Sequence, residues 1–222
     1  AEVGCNVVLL EKEQQVGGLS VQISKIPAKT RLADFPTYLK HRAEKLENLK
    51  IVTGVDATVD TVKGYHPDLV VNATGSVPML PPIEGLHENL QKDDAKVYCI
   101  HDMIDHLNDY PEDLTGKKVA VIGGGAVGLD VVEFFAPRGA EVTIVEMMGI
   151  IGNGLDASST SSMNECMEKY HVRKMVNTAL TKVNADSFEV KYDGKEETLP
   201  FDYGFVCLGM KAYAPIWEEM QK

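Results

Sequence analysis

Between Lys117 and Glu146 the chain reads as strand, glycine turn, helix and strand, an order that few folds accommodate. Lys117-Lys118-Val119-Ala120-Val121-Ile122 is a β-branched apolar run that stops at Gly123-Gly124-Gly125-Ala126-Val127-Gly128. Apolar residues then fall at 129, 132 and 136, with 131 and 135 beside them, on one face of a helix that Gly139 ends. Glu141-Val142-Thr143-Ile144-Val145-Glu146 reads as the next strand. Two strands joined by one helix form a βαβ unit, and this predicts a parallel sheet in an α/β fold.

The turn has chemistry in it. Gly123, Gly125 and Gly128 satisfy G-x-G-x-x-G. The first glycine permits the tight turn, the second lets backbone approach a pyrophosphate, and the third lets the helix pack closely on the strand. The helix beginning at Ala126 and Val127 then offers free N–H groups and a positive dipole end to an anion. Glu146 stands 18 residues after Gly128, at the end of the second strand, where a carboxylate accepts both hydroxyls of an adenosine ribose. That carboxylate repels a ribose 2′-phosphate, and Met147-Met148-Gly149 brings no arginine to receive one. NAD(H) is therefore expected in preference to NADP(H).

Other segments repeat the alternation of strand and helix. Asp156 to Lys169 has an N-cap-like aspartate and a Ser-rich helix with Met163, Cys166 and Met167 as its apolar positions. Thr181–Asn184, Ser187–Tyr192 and Glu197–Leu199 read as strands separated by turn residues, and Tyr203–Gly209 as a buried strand running into a glycine. Asn6–Glu11 is a strand ending in an acid, with Gly17-Gly18 in a following loop. Asp34 to Leu49 is expected to be helical, with Phe35, Leu39, Ala43 and Leu46 on one face. Asp68–Gly75 is expected to be a buried strand, and the proline-rich stretch Val77–Gly85 a crossover between domains. Two Rossmann-like dinucleotide-binding folds result: residues 1–80, resuming near 205–222, and residues 81–204. The first lacks the strand and glycine turn that should precede Glu11, so it reads as truncated.

Composition excludes several classes of function. Acids outnumber bases by 33 to 22 for a net charge of −11, and no basic run exceeds two residues, so a nucleic-acid partner is not expected. Every apolar stretch is shorter than the ~18 residues of a membrane span, and no secretory leader is legible, which points to a cytoplasmic protein with no membrane partner. Cys5, Cys99, Cys166 and Cys207 are scattered, with no C-x-x-C spacing, and are expected to be buried small hydrophobes.

Leu9-Leu10-Glu11-Lys12-Glu13 with Gly17-Gly18, then Val70 to Pro78, then Pro82-Ile83-Glu84-Gly85, then Gly116 to Gly125 follow one another in the order found in two-dinucleotide flavoproteins. Over nearly its whole length the chain resembles the FAD- and NAD-binding part of the old-yellow-enzyme-like NADH:flavin oxidoreductases, the group of 2,4-dienoyl-CoA reductase and 2-enoate reductase. The resemblance implies that Glu11 and Lys12 lie at the FAD ribose and Gly18 along the flavin nucleotide. It also implies that Ala73-Thr74-Gly75 and Gly209 stand where the FAD fold is left and re-entered. Asp130 departs from the glutamate usual two residues after the third glycine. The family's FMN and iron–sulfur cluster belong to an N-terminal barrel domain of a parent chain. In that parent NADH reduces FAD, and the electrons pass on to an enoate- or enoyl-CoA-like substrate. No catalytic side chain is named, because hydride transfer depends on the placement of two rings. The alternative is a non-catalytic NAD-binding module.

Neighbouring chemistries are less well supported. Glutathione- or lipoamide-type reductases place two cysteines just after the position of Gly17-Gly18, and Leu19–Ser24 contains none. Tyr170 and Lys174 match a Tyr-x-x-x-Lys pair but straddle a helix-to-strand junction. His101 and His106, five apart, do not share a helix face, so no metal site is expected and a solvated surface is preferred. Met147-Met148, Met163 and Met167 are expected to fill the core.

Overall fold

In the computed structural model, which describes residues 1–221, the chain divides into two units, Ala1–Val77 with the segment from Ala212, and Pro78–Lys211. The first unit opens with β1 (Val7–Leu10), α1 (Gly18–Ile23), a 3₁₀ stretch at Pro27–Ala33, α2 (Asp34–Ala43) and β2 (Leu49–Val52). Strands β1 and β2 pair in parallel from Val7↔Leu49 to Leu10↔Val52, so the helices between them form the crossover that parallel strands require. Helix α3 (Val59–Lys63) and strand β3 (Ser76–Pro78) follow.

Two expectations for this unit need correction. Helix α2 stops at Ala43 rather than Leu49, because the next residues are recruited to the start of the strand pair. The Asn48 amide donates to the Ala1 and Cys5 carbonyls at 2.8 Å, and its own carbonyl accepts from Val7 N–H at 2.9 Å. Phe35 and Leu39 on that helix are exposed. Asp68–Gly75 is not a buried strand. Leu69 and Val71 are 81% and 77% exposed, and no strand among the described residues pairs with them. An apolar run becomes a strand only where a neighbour satisfies its backbone.

The second unit contains α4 (Leu86–Leu90), β4 (Val97–Tyr98), α5 (Ile100–Asp105), β5 (Lys118–Ile122), α6 (Ala126–Phe135), β6 (Glu141–Val145), α7 (Ala157–Lys169), β7 (Arg173–Met175), β8 (Ala179–Val183), β9 (Ser187–Tyr192), β10 (Lys195–Pro200) and β11 (Tyr203–Val206). Strand β12 (Met210–Ala212) and helix α8 (Trp217–Met220) close the chain. Five strands form a parallel sheet in the order β4-β11-β5-β6-β7. Its β7-β6-β5-β11 part has the Rossmann order 3-2-1-4, with the antiparallel sheet β10-β9-β8 in place of a crossover helix between β7 and β11. Phe205, expected where the first fold resumes, is thus internal to the second unit's sheet. The first unit takes up the chain again only at Ala212.

Both faces of this sheet are covered, as parallel sheets require. Ala120, Ile122, Val145 and Val206 pack with Phe188, Val190, Leu199 and Phe201 of the antiparallel sheet. On the opposite face α6 buries Leu129, Val132 and Phe135, and Phe135 meets Phe205 at 5.1 Å and Tyr110 at 5.0 Å between ring centroids. Helix α5 buries Ile100, Met103 and Ile104, so the His101 segment is half core rather than all solvated surface. Of the cysteines only Cys207 is buried; Cys5 is exposed and the other two are half-buried. Met163 and Met167 are core residues, but Met147 and Met148 are 72% and 49% exposed because they lie beyond the strand end.

Candidate functional site

In a Rossmann order the crevice opens at the carboxyl ends of the first and fourth strands, here β5 and β11. Gly123 follows β5 with φ +105, and a Cβ there would lie 2.1 Å from the Cys207 carbonyl oxygen that follows β11. Only glycine allows the two strand ends to approach this closely. At Gly128 a Cβ would lie 1.9 Å from the Gly123 carbonyl oxygen, so the first turn of α6 sits directly on the loop. Gly125 is different, since nothing stands within 4 Å of where its Cβ would be. Gly125 is also the N-cap of α6 and makes no side-chain cap, leaving the N–H groups of Ala126, Val127 and Gly128 without an intrahelical acceptor. Ala126 is exposed and Val127 half-buried. Donors facing open space at a positive dipole end fit a pyrophosphate.

Glu146 is joined to this loop. One carboxylate oxygen accepts from Gly124 N–H at 2.6 Å and the other from Met148 N–H at 2.7 Å. The carboxylate is thereby held between the glycine turn and the turn after β6, and each oxygen keeps a lone pair for a ribose hydroxyl. A further loop, which sequence reasoning did not single out, supports the same place. Gly152 N–H donates to the Gly124 carbonyl at 2.7 Å, and buried Ile151 packs against Gly124. Its only signal in the sequence is the glycine spacing at 149, 152 and 154.

Glu11 has the same surroundings in the first unit. Its N–H donates to the Val52 carbonyl, its own carbonyl accepts from Val55, its carboxylate accepts from Glu13 N–H at 2.9 Å, and Gly54 N–H donates to the Glu13 carbonyl. Around Glu146 the corresponding partners are Met175, Thr178, Met148 and Asn177, at the same offsets. Four hydrogen bonds around Glu11 are matched around Glu146, whose carboxylate takes one more, from Gly124 N–H. The turns after β1 and β2 thus repeat the arrangement found after β6 and β7. Lys12 is exposed beside Glu11, and Gly18 begins α1 with φ +53 and open space around it. Thr74 bonds the Asn72 side chain at 2.8 Å and the Tyr213 carbonyl, while Gly75 accepts from Tyr213 N–H at 2.9 Å, and Ala73 is exposed. Gly209, with φ +97, accepts from Met79 N–H at 2.8 Å in the second unit.

A sequence profile described as pyridine nucleotide-disulphide oxidoreductase matches residues 1–221. The chain belongs to that family. The family's α/β fold with Rossmann-like dinucleotide-binding halves is as expected from the sequence, and membership carries binding of FAD and a nicotinamide dinucleotide. Within the family the chain is 31% identical over 208 residues to the bilirubin reductase of Mediterraneibacter gnavus (strain CC55_001C), covering 94% of this chain and 31% of that protein. It is 28% identical over 223 residues to the NADH oxidase of Thermoanaerobacter brockii, covering all of this chain and 33% of that protein. A solved structure of a 2-naphthoyl-CoA reductase with 2-naphthoyl-CoA matches with a TM-score of 0.81 at 28% identity, over 98% of this chain and 31% of that one. The chain therefore spans about a third of the length of these relatives.

No two cysteines are paired among the described residues. Helix α1 carries no cysteine, and Cys5, Cys99, Cys166 and Cys207 are all free thiols. Burial pushes the Cys99 thiol up to about 11 and raises that of Cys207 further, so neither favours the reactive thiolate. No three His, Cys, Asp or Glu among the described residues are grouped to hold a metal ion, and no described helix is long and apolar enough to cross a membrane.

Proposed function

We propose that the chain is the dinucleotide-binding portion of an NADH-dependent flavin oxidoreductase of the old-yellow-enzyme-like group. The observation that carries this reading is the Glu146 carboxylate held on the Gly124 N–H beside an uncapped helix. In this reading Gly123, Gly125 and Gly128 seat the pyrophosphate on the N–H groups of Ala126 and Val127, and Glu146 accepts the adenosine ribose hydroxyls. NADH held there would supply hydride-transfer chemistry to a flavin. Glu11 and Lys12 hold the FAD ribose, with Gly18, Ala73, Thr74 and Gly75 of the same unit along the flavin side. The matched hydrogen bonds of Glu11 and Glu146 support that assignment.

NADH is the preferred nicotinamide, since a 2′-phosphate would stand against the Glu146 carboxylate with Met147, Met148 and Gly149 next in the chain. The name of one relative, an NADH oxidase, supports NADH as donor, and those of a bilirubin reductase and a 2-naphthoyl-CoA reductase support a longer protein that reduces an organic acceptor, for which we infer an enoate- or enoyl-CoA-like compound. In that protein an N-terminal barrel with FMN and an iron–sulfur cluster would pass the electrons to substrate. The test is an anaerobic addition of NADH to the chain reconstituted with FAD. Bleaching of the flavin absorbance is expected, more slowly with NADPH. A flavin that stays oxidised while NADH binds would leave only a nucleotide-binding module.

A further inference from the structure

Both strand-end glutamates are followed by the same two turns, and in each unit a carboxamide side chain lies opposite a glycine across those turns. In the second unit the glycine is Gly149, three residues after Glu146, and the carboxamide is Asn177. Asn177 has φ +51, and its Oδ1 lies 3.3 Å from where a Cβ on Gly149 would be. In the first unit the two residue types are exchanged. Gln14 stands three residues after Glu11, the glycine is Gly54 with φ +71, and Gln14 Nε2 lies 3.1 Å from where its Cβ would be. Gly54 and Asn177 occupy equivalent positions, since each donates its N–H to the carbonyl two residues after the glutamate. In each unit the turn pair after the glutamate thus carries one carboxamide facing a glycine, supplied from opposite sides of the pair. Both side chains are exposed and make no hydrogen bond among the described residues.

We propose that Asn177 reads the adenine of the dinucleotide whose ribose Glu146 holds, an inference that rests on the reading of Glu146 given above. The base is attached to the ribose carbon next to the diol, so a diol seated on Glu146 brings the base over the adjoining turns. A carboxamide offers one acceptor and two donors in a plane, which matches the 6-amino group and a neighbouring ring nitrogen of adenine. Exposed Met147 and Met148 supply apolar, polarizable surface beside it for the face of the ring, and the Met148 carbonyl accepts the Asn177 N–H at 2.9 Å.

The test compares binding of NADH with that of its 1,N6-etheno derivative, in which the 6-amino group and N1 are masked, by calorimetry on the 222-residue chain and on Asn177→Gly. Glycine adopts a φ of +51 without strain, so the variant removes the carboxamide and keeps the turn. The wild type is expected to bind NADH about tenfold more tightly than the etheno derivative, and Asn177→Gly to bind the two within about twofold. Equal binding by the wild type, or a tenfold preference that survives in Asn177→Gly, overturns the base reading and leaves the ribose reading standing. Failure of the wild type to bind either dinucleotide overturns both.

Discussion

Gly125 and Gly128 are three residues apart in one motif, yet their surroundings predict opposite consequences for the same substitution. Gly128→Ala places a methyl 1.9 Å from the Gly123 carbonyl oxygen, a collision with backbone that no side-chain motion relieves. It should cost about 1–3 kcal/mol of stability, read by thermal or denaturant unfolding. Gly125→Ala meets no atom of the protein within 4 Å. Its stability should change by less than about 1 kcal/mol, while NADH binding weakens because the new methyl occupies the side from which a pyrophosphate approaches. A variant pair with equal loss of stability would contradict this division of roles. These glycines and Glu146 were legible in the sequence because their spacing encodes the requirement directly. Asn177 was not, since its place beside Gly149 arises from the pairing of β6 with β7, which no local pattern in the sequence contains. Met147 and Met148 were misread for a related reason, because composition suggests core and only the end of the strand shows that they lie outside it.

Among elements, one aspartate adds side-chain bonds to the parallel ladder that joins β5 to β11. Asp202, just before β11, accepts from Lys118 N–H at 2.9 Å and from the Lys117 ammonium at 3.2 Å, and donates its own N–H to the Lys118 carbonyl at 2.8 Å. The Lys118 N–H holds the carboxyl below the usual aspartate range, with Lys117 adding to this against some burial. Glu197 is lowered likewise by the paired Arg173 guanidinium, whose two hydrogen bonds of 2.8 and 3.0 Å tie β7 to β10. A carboxyl whose folded pKa is depressed contributes stability above its unfolded value of about 4, and that contribution is lost as pH falls through the folded value. The thermal midpoint should therefore fall as pH is lowered below about 4, and less steeply in Asp202→Asn. A variant with the wild-type pH dependence would show that this carboxylate plays no part. The β5-α6-β6 unit was readable because its strands are buried on both faces and appear as continuous apolar runs. Asp68–Gly75 carries the same kind of run and forms no strand, because pairing is a property of two segments and the sequence displays only one of them.

For the whole molecule, the spacing of strand-end acids and glycine turns anticipated two dinucleotide-binding units, but not where the chain returns from one to the other. Tyr203–Val206 has the composition of any buried parallel strand, and only its hydrogen bonds to β4 and β5 assign it to the second unit. That unit brings together a close-packed glycine turn, an uncapped helix and a carboxylate bound to the turn, the three parts on which the proposed NADH site rests. Titration of the 222-residue chain with NADH in a calorimeter, alongside Glu146→Ala, tests that directly. Saturable binding at one NADH per chain, weakened about tenfold or more in the variant, is the expected result, in keeping with the loss of hydrogen bonds to a charged group. No binding by the wild type, or equal affinity in the two proteins, would contradict it.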